Sequence, residues 1–155
     1  MRAQDMIADL TKSAFDSFMR TFNAMPEDRR DWSPAPRTRS ALNMLWEIAT
    51  VNELFVDFLR GKSEKELKFE SLAEIWCADC PHSPTELAQR AEDVTLALIE
   101  AIRAVSDEQL EVQIKVNQEA YLPTKTVMWM GLRNLWYHCG QANYLQTLYG
   151  DRDMH

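Results

Sequence analysis

Asn134, His138 and Gln141 stand four and seven residues apart in the run Asn134-Leu135-Trp136-Tyr137-His138-Cys139-Gly140-Gln141. On a helix that spacing puts an amide, an imidazole and a second amide on one face. The surrounding positions are apolar, so the row must line a cleft or find partners inside a core, because a buried polar group left unpaired costs about 1–3 kcal/mol. Imidazole suits either role, as a metal ligand or as a paired donor and acceptor. Cys77-Ala78-Asp79-Cys80 is a second candidate, since Cys-x-x-Cys can hold zinc or exchange thiols. A structural zinc site needs another pair of ligands, and Cys139 is the one cysteine left, so ordinary thiols in a loop are expected there. Cys139 projects about 100° around the helix from His138 and reads as a packed small residue rather than a nucleophile. His155 reads as tail.

These groups have to be held by helices. Apolar residues at Ile7, Leu10, Ala14, Phe18, Phe22 and Met25 predict a first helix from Gln4 to Met25. Pro26, Pro34 and Pro36 remove too many amide donors for the following segment to continue as helix. Ser40 or Thr38 caps a second helix with the stripe Ala41, Leu45, Ile48, Asn52, Phe55 and Leu59, ended by Gly61. The stretch from Lys62 to His82 is expected to connect, with a short helical turn near Leu72 to Trp76. Ser83-Pro84-Thr85-Glu86 is a capping box with proline in the first turn, and it opens a third helix along Leu87, Ala91, Val94, Leu98, Ile102 and Val105 that Ser106-Asp107 closes. From Leu110 to Tyr121 the pattern alternates, which predicts a small hairpin or an extended loop turning at Asn117-Gln118-Glu119. A fourth helix runs from about Lys125 to Tyr149, with Gly150 at its C-cap. Four amphipathic helices without an internal repeat predict an all-α antiparallel four-helix bundle, one domain over residues 1–155.

Bulk charge narrows the function. With 24 acids against 17 bases the chain carries −7, and its bases are scattered. That argues against nucleic acid, whose affinity comes from basic groups neutralising phosphates, and no helix-turn-helix pattern is present. Arg29, Arg30, Arg37 and Arg39 form the one local basic surplus, either a solvated loop or an anion site. No apolar run approaches the roughly 18 residues of a membrane span. Acidic residues near the start and an odd number of cysteines point to a cytoplasmic protein with free thiols.

His138-Cys139-Gly140-Gln141, followed by Tyr144-Leu145 and Leu148-Tyr149-Gly150-Asp151, resembles the closing helix of the DinB/YfiT-like superfamily. Trp32-Ser33-Pro34-Ala35-Pro36 resembles that family's Trp-x-Pro loop, and Ser40 with Leu42 to Ala49 its second helix. The resemblance implies a homodimeric four-helix bundle and, in the better-equipped members, a metal held by three histidines. Those three positions fall here at Glu47, Asn134 and His138, so one histidine survives. A carboxylate, an amide and an imidazole hold Zn, Ni or Mn only weakly. Alternatively, the three form a metal-free hydrogen-bonded group, or line a ligand pocket with Gln141, Tyr137 and Asn43. Two functions follow as expectations: a metal-dependent hydrolase or thiol transferase, or a non-catalytic dimeric small-molecule-binding or stress-associated bundle that has lost the metal.

Overall fold

The computed structural model describes residues 1–62, 75, 80–117 and 119–155. Its helices are α1 (Ala3–Ala24), α2 (Glu27–Arg30), α3 (Ala41–Leu59), α4 (Pro84–Ala104) and α5 (Thr124–Leu148). The four long ones form the expected bundle, with α3 against α4 and α5, and α1 against α4 and α5. Among the described residues no helix is long and apolar enough to cross a membrane.

Local chemistry sets the helix starts. The Ser40 hydroxyl caps α3 by accepting from the Asn43 backbone N–H at 3.1 Å, and it donates to Asp31 at 2.9 Å. That second bond fixes how the preceding loop enters the helix. Ser83 caps α4 in the same way, accepting from Glu86 N–H at 3.3 Å while its hydroxyl donates to the Glu86 carboxylate at 2.7 Å. Pro84 follows in the first turn, where its missing N–H costs nothing. Before α5, strands β1 (Gln113–Lys115) and β2 (Tyr121–Pro123) pair antiparallel with Ile114 opposite Leu122, so the alternating segment is a hairpin. Asn117 Oδ1 holds its turn by accepting from the N–H groups of Glu119 and Ala120.

Two expectations fail in part. Ala14, Phe18, Phe22 and Met25 of the expected first-helix stripe are buried, joined by Gln4, Ala8, Thr11 and Phe15, while Leu10 points to solvent. Both sets have helical spacing, and the three phenylalanines bury more apolar area than Leu10 could, so they set the rotation. The proline-rich segment does contain helix. Pro26 sits at the N-cap of α2, a place where no N–H is required, and its carbonyl accepts from Arg29 N–H at 2.9 Å. The expected turn from Leu72 to Trp76 lies outside the described residues except for Ile75, which is helical and buried. Cys77 also lies outside them; Cys80 is half-buried.

The core has two parts. Phe15, Phe18, Phe22, Trp46 and Leu135 belong to one; Phe55, Leu98, Ile102, Val127 and Met128 belong to the other, against which the hairpin's Ile114 and Leu122 pack. The candidate site lies beside the first.

Candidate functional site

From Ala41 to Asn52 every residue of α3 is buried, polar ones included. Such a helix must bring partners for its polar groups or find them across the bundle. Arg39 supplies the partner from just outside the helix. Its side chain runs along the first two turns, where Nε donates to Asn43 Oδ1 at 2.6 Å, one terminal nitrogen donates to the Asn43 carbonyl at 3.3 Å, and the other lies 2.5 Å from Glu47 Oε2. Asn43 in turn donates its amide to the Ile75 carbonyl. Residues 39, 43 and 47 are thus one file of Arg, Asn and Glu spaced by fours.

Across from this file, α5 presents His138, which is fully buried at 0% exposure. Its Nε2 lies 3.3 Å from Glu47 Oε1, off the line of a good hydrogen bond, and its Nδ1 lies 2.7 Å from Gln141 Oε1. Facing a carboxylate oxygen, Nε2 is more stable as N–H than as a lone pair, and the Gln141 amide satisfies Nδ1 in either orientation. Over these groups opens a cleft of about 630 Å³ lined by Arg37, Arg39, Glu47, Arg133, Asn134, Tyr137 and Gln141. Asn134 keeps a buried amide nitrogen there without a partner among the described residues. Tyr137 stands at the rim, 64% exposed, with its ring edge-on to His138.

Glu47, Asn134, His138, Gln141 and Tyr137 are therefore gathered at one place. Asn43 is not on the cleft wall; it is buried behind Arg39 and holds it. Sequence reasoning missed Arg133, whose guanidinium lies 5.7 Å from the Trp129 ring, and saw Arg39 only as part of a loop surplus. The spacing of 39, 43 and 47 was the signal for the latter. Cys139 packs as expected: its thiol donates to the Ala14 carbonyl at 3.3 Å, and burial pushes its pKa up to about 11. Among the described residues no cluster of three His, Cys, Asp or Glu side chains is placed to hold a metal ion.

A family model described as the DinB superfamily matches residues 8–142. The chain belongs to the DinB superfamily. Solved structures share this DinB fold at low identity. A conserved protein of Enterococcus faecalis is 16% identical with a TM-score of 0.77, covering 96% of this chain and 97% of its own. A DinB-like protein of Bacillus subtilis is 15% identical with a TM-score of 0.71, over 97% and 96% of the two chains. Another DinB-like protein, from Bacillus cereus, is 18% identical with a TM-score of 0.64, over 88% and 86%. At such identities the likeness concerns the fold alone. No curated protein sequence matches this DinB-superfamily chain significantly.

Proposed function

We propose that this DinB-superfamily chain is a metal-independent small-molecule-binding bundle, acting in the cytoplasm, whose ligand enters the cleft above His138. The observation that carries the reading is the Arg39 guanidinium, which lies 2.5 Å from Glu47 Oε2 at one of the three positions where family resemblance implies a metal ligand. A tethered cation already neutralises the carboxylate. Three features agree with this. Asn134 offers only an amide, a poor ligand for the borderline cations. His138 Nε2 faces a carboxylate oxygen at 3.3 Å, which favours N–H over the free lone pair a metal needs. Arg37 and Arg133 in the cleft wall repel a dication. The donor set does not fit Zn, Ni or Mn, and no reaction step through a metal is derived.

The competing reading is a metal-dependent hydrolase or thiol transferase using the same three residues. In its favour is the meeting of Glu47, Asn134 and His138 around one cleft. Thermal unfolding with Zn, Ni and Mn separates the two, because a metal at a hundred times its Kd would add about 2.7 kcal/mol of stability. The expected outcome is no saturable rise in Tm for the native chain and a clear rise for a Glu47→His/Asn134→His double variant, which restores three imidazoles. A saturable rise in the native chain that disappears in His138→Ala would overturn the proposal.

We further propose that two copies pair through the outer face of α5, where Trp129, Trp136 and Tyr144 stay 46%, 48% and 67% exposed. Exposed aromatics grouped on one helix face are the composition of a protein interface. Light scattering is expected to give a dimer, and Trp136→Glu a monomer with an unchanged helical spectrum.

A further inference from the structure

We propose that this cleft is an oxyanion site for a small molecule carrying two negative charges, either a phosphate monoester or a pair of carboxylates, gripped between Arg37 and Arg133 with the Asn134 amide as third donor. The proposal rests on the reading of the cleft as the ligand site and names the chemical class of its ligand.

Charge placement is the first support. The cleft wall holds Arg37, Arg39 and Arg133 against Glu47 alone. Arg39 and Glu47 cancel each other. Two cations remain, and neither Arg37 nor Arg133 pairs with a carboxylate among the described residues. Arg2, Arg90 and Arg103 pair with Asp5, Glu53 and Asp9; what sets Arg37 and Arg133 apart is that both line one cleft. Two arginines on one cleft wall, neither paired with a carboxylate among the described residues, favour a counter-ion that comes from outside.

The backbone at Arg37 is the second support. Its φ of +67° makes it the one non-glycine residue with positive φ among the described residues, a conformation that costs an L-residue energy and that glycine adopts freely. The surrounding loop enforces it. Thr38 Oγ donates to the Ala35 carbonyl at 2.7 Å and accepts from Ala35 N–H at 3.1 Å, while Ser33 Oγ donates to the Thr38 carbonyl at 3.0 Å. Strain of this kind collects where a side chain has to be aimed; here the chain keeps a long cation where glycine would relieve it.

Third, the buried Asn134 Nδ2 lacks an acceptor among the described residues, and a ligand oxygen between the two arginines supplies one. Arg133 is held near the Trp129 ring, which reduces the freedom it loses on binding. A volume of about 630 Å³ is too large for a lone halide and suits a ligand with a body beyond its anionic group, for which the exposed Tyr137 ring offers a wall. Guanidinium forks match phosphate and carboxylate oxygens in pairs.

Calorimetry and thermal unfolding of the full chain at constant ionic strength test this with phenyl phosphate, succinate, sodium chloride and phenol. We expect one dianion to bind saturably and raise Tm. Arg37→Gly and Arg133→Gln should each weaken it by about tenfold, the loss of one charge-assisted contact, while Arg37→Gly alone keeps or raises the Tm of the free protein. Tighter phenyl phosphate identifies the phosphate monoester as the source, and tighter succinate the dicarboxylate. Dianions that bind no better than chloride, or equally well to both arginine variants, overturn the proposal. Phenol binding that is lost in Tyr137→Ala would then keep the cleft as a ligand site while removing its anion preference. Metal stabilisation abolished by His138→Ala would instead overturn the metal-independent reading, whatever the anions do.

Discussion

Helices α3 and α5 meet twice, and the two meetings are built on opposite principles. Near Asn52 and Phe55, α5 presents Gly131, and a Cβ there would lie 2.7 Å from Leu98 Cδ2 and 3.5 Å from both Asn52 Oδ1 and Phe55 Cδ2. Leu98 belongs to α4, so a side chain here would meet that third helix first, while α3 lies at ordinary contact distance. Toward the other end, Glu47 faces His138 with Arg39 and Gln141 outside them, so the gap is filled by charge and hydrogen bonds and opens into the cleft. Tight apolar contact at one end gives a fulcrum of fixed spacing, and the polar end inherits that spacing. Packing thereby sets the geometry in which the carboxylate and the imidazole meet.

Substitutions at the two ends should fail differently. The largest effect is expected from Arg39→Ala, which leaves the buried Glu47 without its cation. Breaking a buried pair from one side costs about 3–5 kcal/mol, and the partial exposure of Arg39 puts the value near the lower limit; denaturant unfolding reads it directly. If that variant is no less stable, the polar end is held by something other than this pair. Replacing both members, as Arg39→Leu/Glu47→Leu, should recover most of the loss. Next, Gly131→Val should cost about 2 kcal/mol by overpacking against Leu98 and Phe55, and it should also loosen ligand binding at the far end by changing the helix spacing. Binding unchanged in a destabilised Gly131→Val would separate the two ends. Arg37→Gly is expected to stabilise by about 1 kcal/mol through relief of the positive φ.

Smallest is a pH effect at Cys139. Burial raises this thiol from 9.0 to about 11, so the unfolded state loses its proton first. The thiol's contribution to stability is complete below pH 9 and is lost as pH rises toward 11. In the native protein at pH 8 roughly one Cys139 thiol in a thousand is ionised, so alkylation of Cys139 should be much slower in the folded than in the unfolded chain. Equal rates would show that the core around α1 and α5 opens readily.

Local signals in the sequence were sufficient for the scaffold. Ser40 and Ser83 cap the helices where their types predict, and the alternation around Ile114 does form paired strands. The rotation of α1 was not legible, because Leu10 and Thr11 are adjacent and only the competition for core volume decides which of them turns inward. The site was legible in part. Spacing on α5 places His138 and Gln141 together, whereas the reach of Arg39 to Glu47 depends on the loop direction that Ser40 and Asp31 fix over nine residues. Arg133 joins the cleft through a tertiary arrangement that its own helix pattern does not reveal.

The Arg39 guanidinium is tethered to Glu47 through the same chain, eight residues away, so its local abundance never depends on what the cell imports or sequesters. On the metal-independent reading proposed above, the bundle would need no loading step, and chelators should leave its fold unchanged.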